Sequence, residues 1–128
     1  MHKCITNNIE VSVRTFFHNE ASAPELSNFI HVYEITITNH GDCEVKLESR
    51  EWNIIDLLGE KKVIKGIGVV GEQPIIKPSQ SFTYASGCNL NTELGAMIGK
   101  YTFVRLYDQS HFKVRIPKFV LAFPPTLS

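Results

Sequence analysis

This chain has no apolar run long enough to cross a bilayer as a helix. A span needs about 20 residues, and the apolar stretches here are broken every few positions by Lys, Glu, Asn or Gly. The first ten residues, MHKCITNNIE, lack the apolar h-region of a secretory signal. Charge of one sign is also missing, because 13 Lys and Arg balance 13 Asp and Glu. General affinity for nucleic acid or a membrane surface rests on accumulated cations. Neither partner is expected, although the balance is compatible with a local patch. Zero net charge gives little electrostatic protection from self-association and so leaves room for a weak homodimer. Cysteine is sparse: Cys4, Cys43 and Cys88 form no CxxC pair, and any pairing leaves one over. Such a set is not a disulfide scaffold. The expectation is a soluble cytoplasmic protein with free thiols, folded as one domain over residues 1–128.

A helical stripe is the next absence, since no window repeats its apolar residues with a period near 3.6. Alternation with period 2 is present throughout. Ile9, Val11 and Val13 alternate with Glu10, Ser12 and Arg14. Residues 18–28 (HNEASAPELSN) are polar, carry Pro24 and read as a loop. Phe29, His31, Tyr33, Ile35 and Ile37 then share one face of a long strand. Its first half is apolar on both faces, as in a central strand. Asn39-His40-Gly41-Asp42 reads as a turn with Gly41 free to take positive φ. Val45, Leu47 and Ser49 keep one parity and Trp52 and Ile54 the other, so the phase slips near Arg50-Glu51. Such a slip means a bulge or a strand that changes sheets. A strand starting at Val63 runs into glycines, and Pro74 and Pro78 confine Ile75-Ile76 to an edge strand or an extended link. Phe82, Tyr84 and Ser86 begin another strand, followed by a loop over 87–95 (GCNLNTELG). Strands follow over 96–107, over Phe112 to Ile116, and over Phe119 to Phe123. Eight or so short strands punctuated by Gly and Pro give an all-β sandwich or barrel. The run Met97-x-Gly99-x-Tyr101-x-Phe103 favours the sandwich. Tyr101 there suits a tyrosine corner, its hydroxyl bonded to backbone a few residues upstream, or an ordinary half-buried strand position.

Residues 66–71, Gly-Ile-Gly-Val-Val-Gly, match GxGxxG. A dinucleotide site needs a helix after the motif, with its N-terminus on the pyrophosphate. Glu72-Gln73-Pro74-Ile75-Ile76-Lys77-Pro78 cannot supply a regular one. The glycines read as a bend that allows close backbone packing. The alternative is a nest of amides holding an anion. The histidines, His2, His18, His31, His40 and His111, form no pair at ligand spacing. His31 lies on a core parity and reads as a hydrogen-bonded core residue. Asp108, Ser110 and His111 fall in a hairpin connection where Asp and Ser serve turn geometry. No activating cation or helix terminus is signalled beside Cys88. No catalytic residue, metal ligand or cofactor is expected. Trp52 is either the core aromatic between the sheets or, exposed beside Arg50, an interaction hot spot.

The combination of Arg50-x-Trp52, GIGVVGEQPIIKPSQSFTYASG, M-x-G-x-Y and I-P-x-F-x-L-x-x-P resembles the ApaG family over nearly all of the chain. The resemblance implies a fibronectin III/immunoglobulin-like β-sandwich of two antiparallel sheets. It implies a protein-recognition role and an association with cobalt and magnesium tolerance, and it provides no catalytic residue to carry over. The chain departs from the family pattern at Ile67, where charge is common, at Ser79, where glycine is usual, and at Glu93, where proline is common. The expectation is a non-enzymatic module that binds an unidentified protein partner. The binding surface runs along Gly66, Gly68, Gly71, Glu72, Gln73 and Pro74, bordered by Arg50. The alternative is a small-ligand module for a phosphate-containing molecule or divalent cation at the glycine loop. A minor further reading is a phosphate-ester hydrolase.

Overall fold

The computed structural model describes residues 2–124 as strands and turns, with a single 3-10 turn at Pro24–Leu26. No helix among them is long and apolar enough to cross a membrane. The strands are β1 (His2–Thr6), β2 (Ile9–Phe17), β3 (Phe29–Asn39), β4 (Val45–Asp56), β5 (Lys61–Ile67), β6 (Ile75–Ile76), β7 (Ser81–Leu90), β8 (Leu94–Arg105) and β9 (His111–Ala122). One sheet has the order β1-β2-β3-β7 and the other β5-β4-β8-β9, with β6 also on β4. Every pairing is antiparallel, and the two sheets pack as a β-sandwich.

Period-2 alternation places the core. Ile9, Val11 and Val13 from β2, and Tyr33, Ile35 and Ile37 from β3, face Leu47, Trp52, Phe103, Val114 and Phe119 across the sandwich. Trp52 is only 2% exposed, so it is the core aromatic. Its indole meets Tyr33 edge-on at 5.4 Å and Phe119 at 5.8 Å, a geometry favoured by the ring quadrupoles. Gly99 makes room for it, because a Cβ there would lie 2.8 Å from Trp52 Cε3.

Several expectations needed correction. β1 was not expected; it folds onto β2 through Asn7 and Asn8, whose φ of +50° and +65° suit a type I′ hairpin. The phase slip in β4 is a bulge between Leu47 and Ser49, just before Arg50-Glu51, and the strand stays in one sheet. Gly41 does not take positive φ; instead its N–H bonds Asn39 Oδ1. The segment from Gly87 to Leu90 is strand, with Cys88 opposite His31. β9 continues through Pro117 at a second irregularity, opposite Met97 to Gly99. A proline is tolerated there because a bulge leaves a residue without a ladder partner. Tyr101 is no tyrosine corner. It is fully buried, and its hydroxyl meets Tyr84 Oη of the other sheet at 2.5 Å.

The sandwich has two unlike mouths. At one, side chains tie β1 to β9: Cys4 Sγ donates to Arg115 O, Asn7 Nδ2 to Lys113 O, and Arg115 N–H to Thr6 Oγ1. At the other, the edge strands β7 and β5 leave a cleft between the sheets.

Candidate functional site

The glycine motif leaves β5 and returns to the same side of β4 as β6. Residues 68–74 are a loop extruded from an interrupted edge strand. Gly68 N–H donates to Glu48 O at 2.7 Å, and Leu47 N–H to Pro74 O at 3.0 Å, so both ends of the loop are pinned to the β4 bulge. At the tip, Val69 and Glu72 exchange two backbone hydrogen bonds of 2.8 and 2.9 Å around Val70 and Gly71. Both central residues have positive φ, +43° and +79°, the signature of a type I′ turn. Val69 is fully buried and plugs the core, whereas Val70 projects into solvent. Gly68 has no alternative: its φ is +60°, and a Cβ would sit 2.0 Å from the Glu72 carbonyl oxygen.

Arg50 and Gln73 hold the loop from beside it. Arg50 Nη1 donates to Gly68 O at 2.8 Å and to Ile67 O at 3.2 Å. Its guanidinium lies over Gly66, where a Cβ would come within 2.8 Å of it. Gln73 Nε2 donates to Glu48 O. Glu72 is exposed and Pro74 half-buried. The structure therefore brings Arg50, Gly66, Gly68, Gln73 and Pro74 together around the β4 bulge, with Gly71 and Glu72 at the outer tip. The Gly68 N–H is spent on Glu48 O of β4, and those of Val69 and Glu72 on each other's carbonyls, which leaves few donors for an anion nest.

A surface not read from the sequence lies beside this loop. Every residue of β5 except Gly66 is exposed, with Val63 57% and Ile67 76% accessible on a sheet edge. On the outer face of the second sheet, the register sets Lys61 and Lys65 on β5, Lys100 on β8, and Lys113 and Arg115 on β9 around Glu51. Lys65 and Lys100 both reach the Glu51 carboxylate at 3.6 Å. Lys65, Lys100 and Lys113 border a depression of about 350 Å³. Toward the Leu57-Leu58 turn the face becomes apolar, with Val63, Ile55, Ile98 and Val120 exposed. The signal available in the sequence was the run of lysines and aliphatic residues in KKVIKGI, with no clean alternation.

Several polar groups singled out in the sequence serve structure instead. Asp108 Oδ1 accepts from Ser110 N–H and Oγ, which holds its carboxyl below the ordinary range and closes the turn. His111 pairs with Glu48. Burial pushes the Cys88 thiol up to about 11, far from a reactive thiolate. His31 is a buried core residue, but it is not hydrogen-bonded through Nε2, which has no partner among the described residues. Burial lowers its pKa, which favours the neutral imidazole. Among the described residues, no three His, Cys, Asp or Glu side chains cluster as metal ligands would.

The profile of the ApaG domain matches residues 19–105. Protein ApaG of Methylobacterium radiotolerans is 43% identical over 124 residues, 97% of this chain and 95% of that protein. Protein ApaG of Brucella anthropi matches at 43% identity with the same coverage. Among solved structures, the ApaA protein of Bordetella pertussis superposes with a TM-score of 0.87 at 37% identity, covering 91% of this chain and 94% of that one.

Proposed function

From the membership of this chain in the ApaG family, together with the surface of its second sheet, we propose that it is a non-enzymatic module that binds a protein partner. The observation that carries the proposal is β5, an exposed edge strand bearing Lys61, Lys62 and Lys65 among Val63, Ile64 and Ile67. Native edges are usually short, covered or heavily charged to prevent pairing. This one combines cations with accessible apolar side chains. An extended segment rich in acidic and aliphatic residues matches it: backbone groups add a strand, and alternate side chains meet the lysines and the apolar patch. The loop from Gly66 to Pro74, clamped by Arg50, sets where that strand can end. Any contribution to cobalt or magnesium tolerance is then indirect, through the partner.

Partner capture from a lysate, followed by hydrogen exchange on the complex, tests this. Binding should slow exchange of the Lys61–Ile67 amides, and Lys65→Glu or Ile67→Glu should abolish capture in a folded protein. A partner that protects β9 instead, or that ignores both substitutions, refutes it. The lysine-bordered depression supports a second reading, a phosphate-bearing small molecule. That reading requires a saturable thermal shift with pyrophosphate or a nucleotide.

A further inference from the structure

Strand β5 ends its sheet, and the hydrogen bonds of its ladder fix which residues still have backbone groups to offer. Asp56 N–H donates to Glu60 O at 3.1 Å at one end of the β4–β5 ladder, and Gly68 N–H to Glu48 O at 2.7 Å at the other. Both pairs continue the register that sets Lys62 opposite Ile54, Ile64 opposite Trp52 and Gly66 opposite Arg50. Bonded and non-bonded pairs alternate in an antiparallel ladder. The even-numbered residues of β5 therefore bond β4, and the odd-numbered ones turn their N–H and C=O groups outward. Lys61, Val63 and Lys65 keep both groups free, with no backbone partner among the described residues. The Ile67 carbonyl instead accepts from Arg50 Nη1, which closes the ladder at that end. The open edge thus runs from Lys61 to Lys65.

Side chains follow the same parity. Lys61, Val63 and Lys65 lie on the outer face with Glu51 and Asn53, and Lys62 and Ile64 on the mouth side with Trp52 and Ile54. Lys61 and Lys62 belong to none of the ion pairs among the described residues. Lys65 shares the Glu51 carboxylate with Lys100, and its side chain is 72% accessible. One carboxylate between two ammonium groups leaves a positive charge over. Val63 and Ile64 between these lysines are both exposed. The other edge at this mouth, β7, has no charged residue in SFTYASGCNL and so offers an acidic segment no counter-charge.

Resting on the partner reading above, we propose that the docked segment runs antiparallel to β5 and reads, from its N- to its C-terminus, acidic–aliphatic–aliphatic–acidic–acidic. Its first, third and fifth residues exchange backbone hydrogen bonds with Lys65, Val63 and Lys61 and lie on their face. Its second and fourth meet Ile64 and Lys62 on the mouth side. Opposed Cβ atoms in such a ladder are about 5 Å apart, within reach of a lysine–carboxylate pair. The antiparallel sense follows from the slightly weaker ladder of parallel strands. Because Lys61-Lys62-Val63-Ile64-Lys65 does not read the same backwards, the pattern has a direction, which general attraction between a basic edge and an acidic protein lacks.

Two end-blocked peptides test the direction, Ser-Glu-Ile-Val-Glu-Glu-Ser and its reverse, Ser-Glu-Glu-Val-Ile-Glu-Ser, which have the same composition and charge. Titrated into the isotope-labelled, partner-free protein, the forward peptide should move the backbone amide resonances of Lys61, Val63 and Lys65 saturably. Those of Thr83, Ala85 and Gly87 on β7 should stay in place. The reversed peptide should bind severalfold more weakly, and Lys62→Gln should weaken the forward peptide severalfold in a protein whose spectrum is otherwise unchanged. Equal affinity of the two peptides at β5, or an affinity that Lys62→Gln leaves unchanged, overturns the pattern and leaves β5 standing as the partner's docking strand. Shifts on β7 instead, or β5 amides unmoved by either peptide at about 10 mM, which excludes a Kd of about 1 mM, overturn the pattern and the docking strand together.

Discussion

Gly68→Ala should be far more destabilising than the same change at Gly71, although both glycines belong to one motif and both have positive φ. At Gly71 nothing lies within 4 Å of a new Cβ. The cost there is the left-handed conformation alone, about 1–2 kcal/mol. At Gly68 the same backbone cost applies, and the Cβ also falls 2.0 Å from the Glu72 carbonyl oxygen. That contact is with backbone and cannot be relieved by a rotamer. The turn must open, giving up the two Val69–Glu72 bonds at about 0.5–1.5 kcal/mol each. Part of the burial of Val69, worth about 1.5–3 kcal/mol when complete, goes with them. Gly68→Ala should therefore cost about 3–5 kcal/mol. Gly66→Ala should cost far less than Gly68→Ala, because Gly66 does not have positive φ and its Cβ meets only the movable end of Arg50. Urea unfolding followed by Trp52 fluorescence measures all three with one probe. If Gly68→Ala and Gly71→Ala lose equal stability, the motif does not act as a clamp that seats Val69. If Gly68→Ala keeps its stability but loses a pyrophosphate-dependent thermal shift, the loop is a ligand cradle.

Some residues occupy left-handed conformations better suited to Gly or Asn. Val70 (φ +43°) and Ser79 (φ +68°) predict that Val70→Asn and Ser79→Gly each raise the urea midpoint, by up to about 1 kcal/mol of stability. Tyr84→Phe should cost about 1–3 kcal/mol by orphaning the fully buried Tyr101 hydroxyl. The double Tyr84→Phe/Tyr101→Phe variant should recover much of that, as a double-mutant cycle would read. Burial holds the His31 imidazole below its ordinary 6.5, so the unfolded chain takes up the proton more readily. Its contribution is complete above that value and lost as pH falls below it. Unfolding midpoints compared between about pH 7.5 and about pH 5.5 should fall less in His31→Gln than in wild type.

Much of the architecture was legible because sheets impose period 2 on a chain with one core. The parity of Ile9, Val11 and Val13, and of Phe29 through Ile37, maps directly onto burial. Errors arose where local chemistry and tertiary pairing disagree. Gly87-Cys88-Asn89 has loop composition, yet it pairs with Val32, His31 and Ile30. Pro117 suggests a break, yet a bulge opposite β8 absorbs it. The Asn7-Asn8 pair, at positive φ in both residues, is the local sign of the β1–β2 hairpin.

For the candidate site the division is similar. The sequence alone argued against a dinucleotide cradle at GIGVVG, because the prolines after it forbid a helix, and limited the chain to an all-β sandwich or barrel. It also marked Arg50 and the glycines as neighbours of one loop. Only the tertiary structure decided that Arg50 spends its guanidinium on the carbonyls of Ile67 and Gly68, and that Val69 rather than Val70 enters the core. It alone gathered lysines from three strands onto one face of a chain with no net charge. The physical reason is that alternation along a strand is local, whereas registry between strands and the opening at a sandwich edge depend on residues far apart in the chain.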